Sequence, residues 1–134
     1  MKRNVLVLTV LVLALAFMSV GCKRTVPIQD YGNSGLSSYG KLSANQVADA
    51  IVRGGSSIGW NMSKVSPGLV TATWTARDHS VTVDIPYTAQ AYTIKYNSST
   101  NFLDDGTGQI HRNYPRWIER LNRNITAEIA KLKK

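Results

Sequence analysis

The chain has 134 residues, with 16 Lys and Arg against 8 Asp and Glu, for a formal net charge of +8. That length suits one domain, and a single cysteine excludes an intramolecular disulfide framework. A basic surface favours anionic partners, but it is also an ordinary route to solubility.

The start carries Lys2 and Arg3, followed over residues 5–18 by an apolar run without a charge. As a helix that run rises about 21 Å, short of a hydrocarbon core of roughly 30 Å. Charge, a short apolar run and small residues after it read as a signal peptide over residues 1–21. Ser19-Val20-Gly21-Cys22 then resembles the lipobox of bacterial lipoproteins. Gly21 fits that pattern, whereas Ser19 stands where a Leu-like residue is usual. The resemblance implies cleavage between Gly21 and Cys22, a diacylglycerol on the Cys22 thiol, and acylation of the new amine by a chain such as palmitate. Lys23 follows the cysteine in place of Asp, which in that family implies the outer membrane, facing the periplasm or the surface. Lipid also gives a lone thiol a use in an oxidising compartment, and two or three acyl chains hold where one does not. An uncleaved signal anchor and a cleaved, unlipidated secreted form are the alternatives.

Removal of residues 1–21 takes Lys2 and Arg3 with it, so 14 basic residues face 8 acidic ones, or +6. Residues 22–41 read as the lipidated cysteine and a flexible tether, rich in Gly, Ser, Asn and Pro and without a strand or helix period. As a coil it spans roughly 25 Å. Tyr31 and Tyr39 offer a second reading, in which this segment docks on the domain or at the membrane interface.

Residues 42–134 read as a small α+β domain. Ser43 and Gln46 have capping-box spacing, and Leu42 and Val47 that of a hydrophobic staple. Val47, Ile51 and Ile58 share a helical face with Ala44 and Ala48, and Gly54-Gly55 either ends this helix or brings it close to the sheet. Three strands are predicted from alternation: Val70, Ala72 and Trp74, then Val81, Val83, Ile85 and Tyr87, then Tyr92, Ile94 and Tyr96. Short links make them an antiparallel meander, with Pro86 at a strand end or edge. Asn97 to Asn101 closes the last strand. A final helix is predicted over about residues 110–132, with Tyr114, Trp117, Ile118, Leu121, Ile125, Ile129 and Leu132 on one face. Pro115 restricts its start, so residues 110–113 form a separate turn in the alternative reading. The expected architecture is two-layer, a helix, a three-stranded antiparallel meander and a helix, with both helices on the apolar sheet face.

Gly59-Trp60, Pro67-Gly68, Val83-Asp84-Ile85-Pro86-Tyr87, Tyr92 to Ser99, Ile110-His111, Tyr114 and Trp117 to Leu121 together resemble a family of small bacterial envelope lipoproteins. The resemblance spans residues 58–125, departs at Pro115, and implies an envelope location and a shared fold without an activity.

Arg116, Arg120 and Arg123 recur at spacings of four and three, a stripe nearly opposite Leu121 and Ile125. Such a ridge is a possible anion-binding site, since guanidinium forks fit phosphate and carboxylate. The plainer reading is a solvated face with Glu119 paired to Arg123. His79 and His111 lack zinc spacing, and no HExxH, GxSxG or phosphate-cradling loop appears. Asp104-Asp105-Gly106-Thr107-Gly108 loosely resembles a calcium loop but lacks its alternating ligands, and reads as an acidic turn leading into a helix. No metal, cofactor or catalytic residue is therefore assigned. The expected function is a non-enzymatic interaction domain, anchored to membrane lipid by covalent acyl chains. Its partner would be another envelope protein, a glycan or an anionic lipid, with nucleic acid disfavoured for an exported chain. The alternative is a hydrolase or small-ligand-binding enzyme with its site between sheet and loops.

Overall fold

The computed structural model describes Gly21 and residues 23–133. Residues 1–20, on which the expected leader falls, Cys22, the expected acylation site, and Lys134 lie outside the described residues. Among those described, no helix is long and apolar enough to cross a membrane.

The fold is α+β, and the elements in order are β1 (Thr25–Pro27), β2 (Tyr31–Asn33), a 3-10 turn (Leu36–Tyr39), α1 (Ala44–Ser56), β3 (Asn61–Ser66), β4 (Leu69–Ala76), β5 (His79–Pro86), β6 (Tyr92–Thr100), β7 (Gln109–His111) and α2 (Tyr114–Ala130). The predicted three-stranded meander is the centre of a five-stranded antiparallel sheet of order β2-β6-β5-β4-β3. A second, two-stranded sheet joins β1 to β7.

Alternation decides which face of β4, β5 and β6 is buried. Val70 opposes Ile85, and Ala72 opposes Val83, all fully buried on one side of the sheet. Thr71, Thr73, Thr82 and Asp84 fall on the other side, where Thr71 Oγ1 donates to Asp84 Oδ1 at 2.8 Å and the Thr73 and Thr82 hydroxyls meet at 3.0 Å. β6 runs to Thr100, past the expected end at Asn97. Its register shifts between Thr82 and Val83, leaving Asn97 as an extra residue that breaks the period. Asn97 Nδ2 donates to Asp84 Oδ2 at 2.8 Å, so the bulge is tied down.

β3 was not expected, because Asn-Met-Ser-Lys-Val-Ser is nearly all exposed and carries no alternation. It is an edge strand joined to β4 through Pro67-Gly68, with Gly68 at φ 86 as a tight turn requires.

Both helices pack on the buried sheet face and on each other. α1 begins with the expected capping box: Ser43 Oγ accepts from Gln46 N at 3.2 Å, and Gln46 Oε1 accepts from Ser43 N at 2.9 Å. Ala44 departs from the expected face and is exposed. Gly54-Gly55 does not end α1, which continues to Ser56. Gly54 instead admits the backbone of α2, and Gly55 admits the Met62 side chain from β3. α2 buries Tyr114, Ile118, Leu121, Ile125 and Ile129, each such side chain contributing about 1.5–3 kcal/mol of transfer free energy. It starts at Tyr114 with Pro115 in its first turn, where a missing N–H costs nothing. Residues 109–111 are the strand β7 and not the beginning of this helix.

Residues 25–39, expected within a flexible tether, are folded against the domain. β1 pairs β7 with Thr25 opposite His111, and β2 pairs β6 with Tyr31 opposite Ile94. Leu36 is fully buried, and its N–H donates to Gln90 O at 3.1 Å. Tyr31 and Tyr39 pack at the edge of the core, in line with the docked alternative. Backbone pairing overrides a composition that by itself suits a coil.

Candidate functional site

The loops at the His79 end of β5 are held by a set of backbone contacts. Ala76 pairs with His79 across a two-residue turn in which Arg77 takes φ 57. Asn101 and Leu103 also adopt left-handed φ, 51 and 59, on either side of Phe102. That geometry turns Phe102 inward, 4% exposed, and Leu103 outward, 49% exposed. His111 N donates to Phe102 O at 3.0 Å, and Arg112 N donates to Arg24 O at 3.0 Å. The strap formed by β1 and β7 therefore lies beside the loop that carries Leu103.

Two clefts open there, and both are lined by His79 and His111. An outer cleft of about 390 Å³ is lined by Arg24, His79, Asn101, Leu103, His111 and Arg112. A second, of about 230 Å³, adds Ala76, Arg77, Asn113 and Trp117 to Phe102 and the two histidines. Phe102, in the second, has its ring 6.2 Å from that of His79 and 5.0 Å from that of His111. Behind it the rings continue, Phe102 stacked on Trp117 at 4.7 Å, Trp117 edge-on to Trp74 at 6.1 Å, and Trp74 to Trp60 at 6.0 Å.

The protons of the two histidines follow from their partners. His79 Nδ1 is 2.6 Å from Asn101 O, and a carbonyl only accepts, so that nitrogen carries a proton. Its Nε2 lies 3.5 Å from Asp78 Oδ1. His111 Nδ1 accepts from Asn113 N at 3.1 Å, which leaves its proton on Nε2. Burial holds His111 below the usual imidazole range, and the charges of Arg112 and His79 push the same way. The nearby acidic loop is occupied with itself. Asp104 Oδ1 accepts from Gly106 N at 2.9 Å, its other oxygen accepts from Tyr96 Oη, and Asp105 Oδ1 accepts from Thr107 N at 3.0 Å. The Thr107 bonds hold the Asp105 carboxyl below its usual range. This turn leads into β7, not into a helix as expected.

The predicted arginine stripe is elsewhere. Arg116, Arg120 and Arg123 are all exposed on α2. Only Arg120 joins other groups, rimming a shallow dent of about 20 Å³ with Ile58, Trp60, Trp74 and Trp117. Among the described residues Glu119 forms no ion pair with Arg123; the acid engaged on α2 is Glu128, whose Oε2 is 3.1 Å from Arg53 Nε. Among the described residues, no three His, Cys, Asp or Glu side chains gather as a metal site. Gly21, on the amino side of the expected cleavage, is exposed.

Sequence reasoning missed Arg24, Phe102, Leu103 and Arg112 as neighbours of the histidines. They come from three separate segments, and no spacing relates them. The one local signal was Ile110-His111 beside Arg112, a short alternating stretch assigned to a helix. No family model matches the chain, and no curated protein matches it.

Proposed function

We propose that this chain is a lipid-anchored protein of the bacterial envelope, cut between Gly21 and Cys22, whose domain is an interaction module and not a catalyst. The anchor rests on the charged start, the short apolar run and the single cysteine placed after Gly21. Lys23 after that cysteine favours the outer membrane. The interaction role rests on one observation: the largest cleft of the site is open, and Arg24 and Arg112 line it beside two histidines, with no carboxylate among its described lining residues. Such a lining offers donors and positive charge, which suit a phosphate or carboxylate of a lipid, a glycan or another envelope protein. The arginine stripe of Arg116, Arg120 and Arg123 is the second candidate for the same chemistry.

The histidine pair gives the enzymatic reading its own observation. A hydrolase would need a nucleophile or an activated water beside His79 or His111, and the described residues that line the clefts include no Ser, Thr, Cys or acid.

Metabolic labelling with a fatty-acid probe tests the anchor. The wild type takes the label and Cys22→Ser does not, and the mutant retains its leader. Equal labelling of both chains overturns the reading. Crosslinking in intact cells with mass spectrometry tests the interaction role, since a module without a partner yields only chance contacts.

A further inference from the structure

We propose that the cleft between Arg24 and Arg112 receives the phosphate of an anionic lipid headgroup, seating the Leu103 loop on the membrane that holds the anchor. The inference rests on the anchored reading given above and adds which face meets the bilayer, and through what chemistry.

Distance along the chain is the first argument. Arg24 stands two residues after Cys22, and an extended chain covers at most about 3.6 Å per residue, so their Cα atoms lie within about 7 Å. Arg24 does not sit on a loose tether. Arg112 N donates to Arg24 O at 3.0 Å, and the next residue, Thr25, pairs with His111. The cleft therefore includes a residue only two positions along the chain from Cys22, and that residue belongs to a paired segment, not to a coil of roughly 25 Å.

Chemistry is the second. Arg24 and Arg112 are exposed and line one opening together with His79 and His111, and a guanidinium fork suits a phosphate. Lys23, also exposed, adds charge on the anchor side. Of the nearest acids, Asp78 lies 3.5 Å from His79 Nε2, and Asp104 and Asp105 accept from amides of their own turn.

Leu103 is the third. It is 49% exposed on the rim of the cationic cleft and held outward by a left-handed backbone. A leucine in water gains nothing there, whereas one beside arginines at a bilayer surface enters the headgroup and acyl boundary while the cations meet the phosphates.

The test uses the full chain, produced in cells and reconstituted into vesicles of phosphatidylcholine alone or with phosphatidylglycerol. Amide hydrogen exchange is followed over residues 101–112, and mass spectrometry of the same sample reads acylation at Cys22. Phosphatidylglycerol slows exchange in this segment. Arg24→Gln with Arg112→Gln removes that protection, lowering the docked-to-free ratio about fivefold per arginine. Leu103→Ser weakens it in both lipids, whereas Lys41→Gln with Lys95→Gln, the same charge removed elsewhere, leaves it in place. An acylated chain with equal exchange on both vesicles overturns the headgroup site alone, and so does protection that survives the double arginine change. Inorganic phosphate that protects the loop on neutral vesicles as fully as phosphatidylglycerol does assigns the cleft to free phosphate and also overturns it. Absence of the acyl mass overturns the anchor instead, whatever the exchange shows.

Discussion

Gly54 of α1 packs directly on the backbone of Ile125 in α2, so closely that a Cβ at Gly54 would stand 2.7 Å from Ile125 Cα and 2.8 Å from its N. Neither atom is the end of a flexible side chain, so the helices themselves would have to separate. Gly54→Ala is expected to cost about 1–3 kcal/mol despite the better helix propensity of alanine. Urea unfolding of the full chain measures it. A variant as stable as the wild type would mean that the helices are free to move apart.

Two buried tyrosines should answer oppositely to loss of the hydroxyl. Tyr92 Oη donates to Asn122 Oδ1 at 2.6 Å and meets Thr126 Oγ1 at 2.9 Å. Tyr114 Oη is buried without a hydrogen-bond partner among the described residues, and burial pushes its phenol far above the ordinary value. Tyr92→Phe should cost about 1 kcal/mol, while Tyr114→Phe should be neutral or stabilising. The order of the two unfolding midpoints decides the matter.

The arginine stripe and the cleft are separable by mutation. Arg116, Arg120 and Arg123 crowd like charge on one face of α2, and among the described residues no ion pair offsets it. Changing all three to Gln should raise stability slightly, by about 0.2–0.5 kcal/mol for each like-charge pair removed. Protection of residues 101–112 on phosphatidylglycerol vesicles should not change. Loss of that protection in the triple variant would move the anion site from the cleft to the stripe.

His111 gives the domain a pH response near neutrality. Its folded pKa lies below the ordinary imidazole value of 6.5, through burial first, then Arg112 and His79. An unfolded chain therefore binds the proton more readily than the folded one. The stability this provides is whole above about pH 6.5 and is lost as pH falls through that value toward the lowered folded one. Thermal unfolding between pH 8 and pH 5 should show the decline, and His111→Gln should flatten it. Asp49, Asp105 and Glu128 are also held low, chiefly by hydrogen bonds from Lys64, Thr107 and Lys131. Their contributions are lost only below about pH 4.5, in a window distinct from that of His111. The charged and titratable side chains around His111 are Arg24, Arg112 and His79. A phosphate among them should raise its pKa, so the imidazole shift followed by NMR should titrate higher on anionic than on neutral vesicles.

The sequence by itself determined whatever depends on near neighbours. Ser43 and Gln46 announced the start of α1 because a capping box is complete within four residues, and the capping contacts are as expected. Alternation in Val70 to Trp74, Val81 to Ile85 and Tyr92 to Ile94 marked three strands and their buried face, and the spacing from Tyr114 to Ile129 marked the buried face of α2. Only the tertiary structure decided the rest. β1, β2 and β7 are three residues each, too short for a period, and exist because distant backbone groups pair with them. β3 is an exposed edge, where burial writes no pattern, and the Asn97 bulge hid the continuation of β6. The cleft was illegible for the same reason. Arg24, His79, Leu103 and Arg112 meet only because the β1–β7 pairing folds residues 25–27 onto the far end of the chain, a contact between segments more than eighty residues apart that no local spacing encodes.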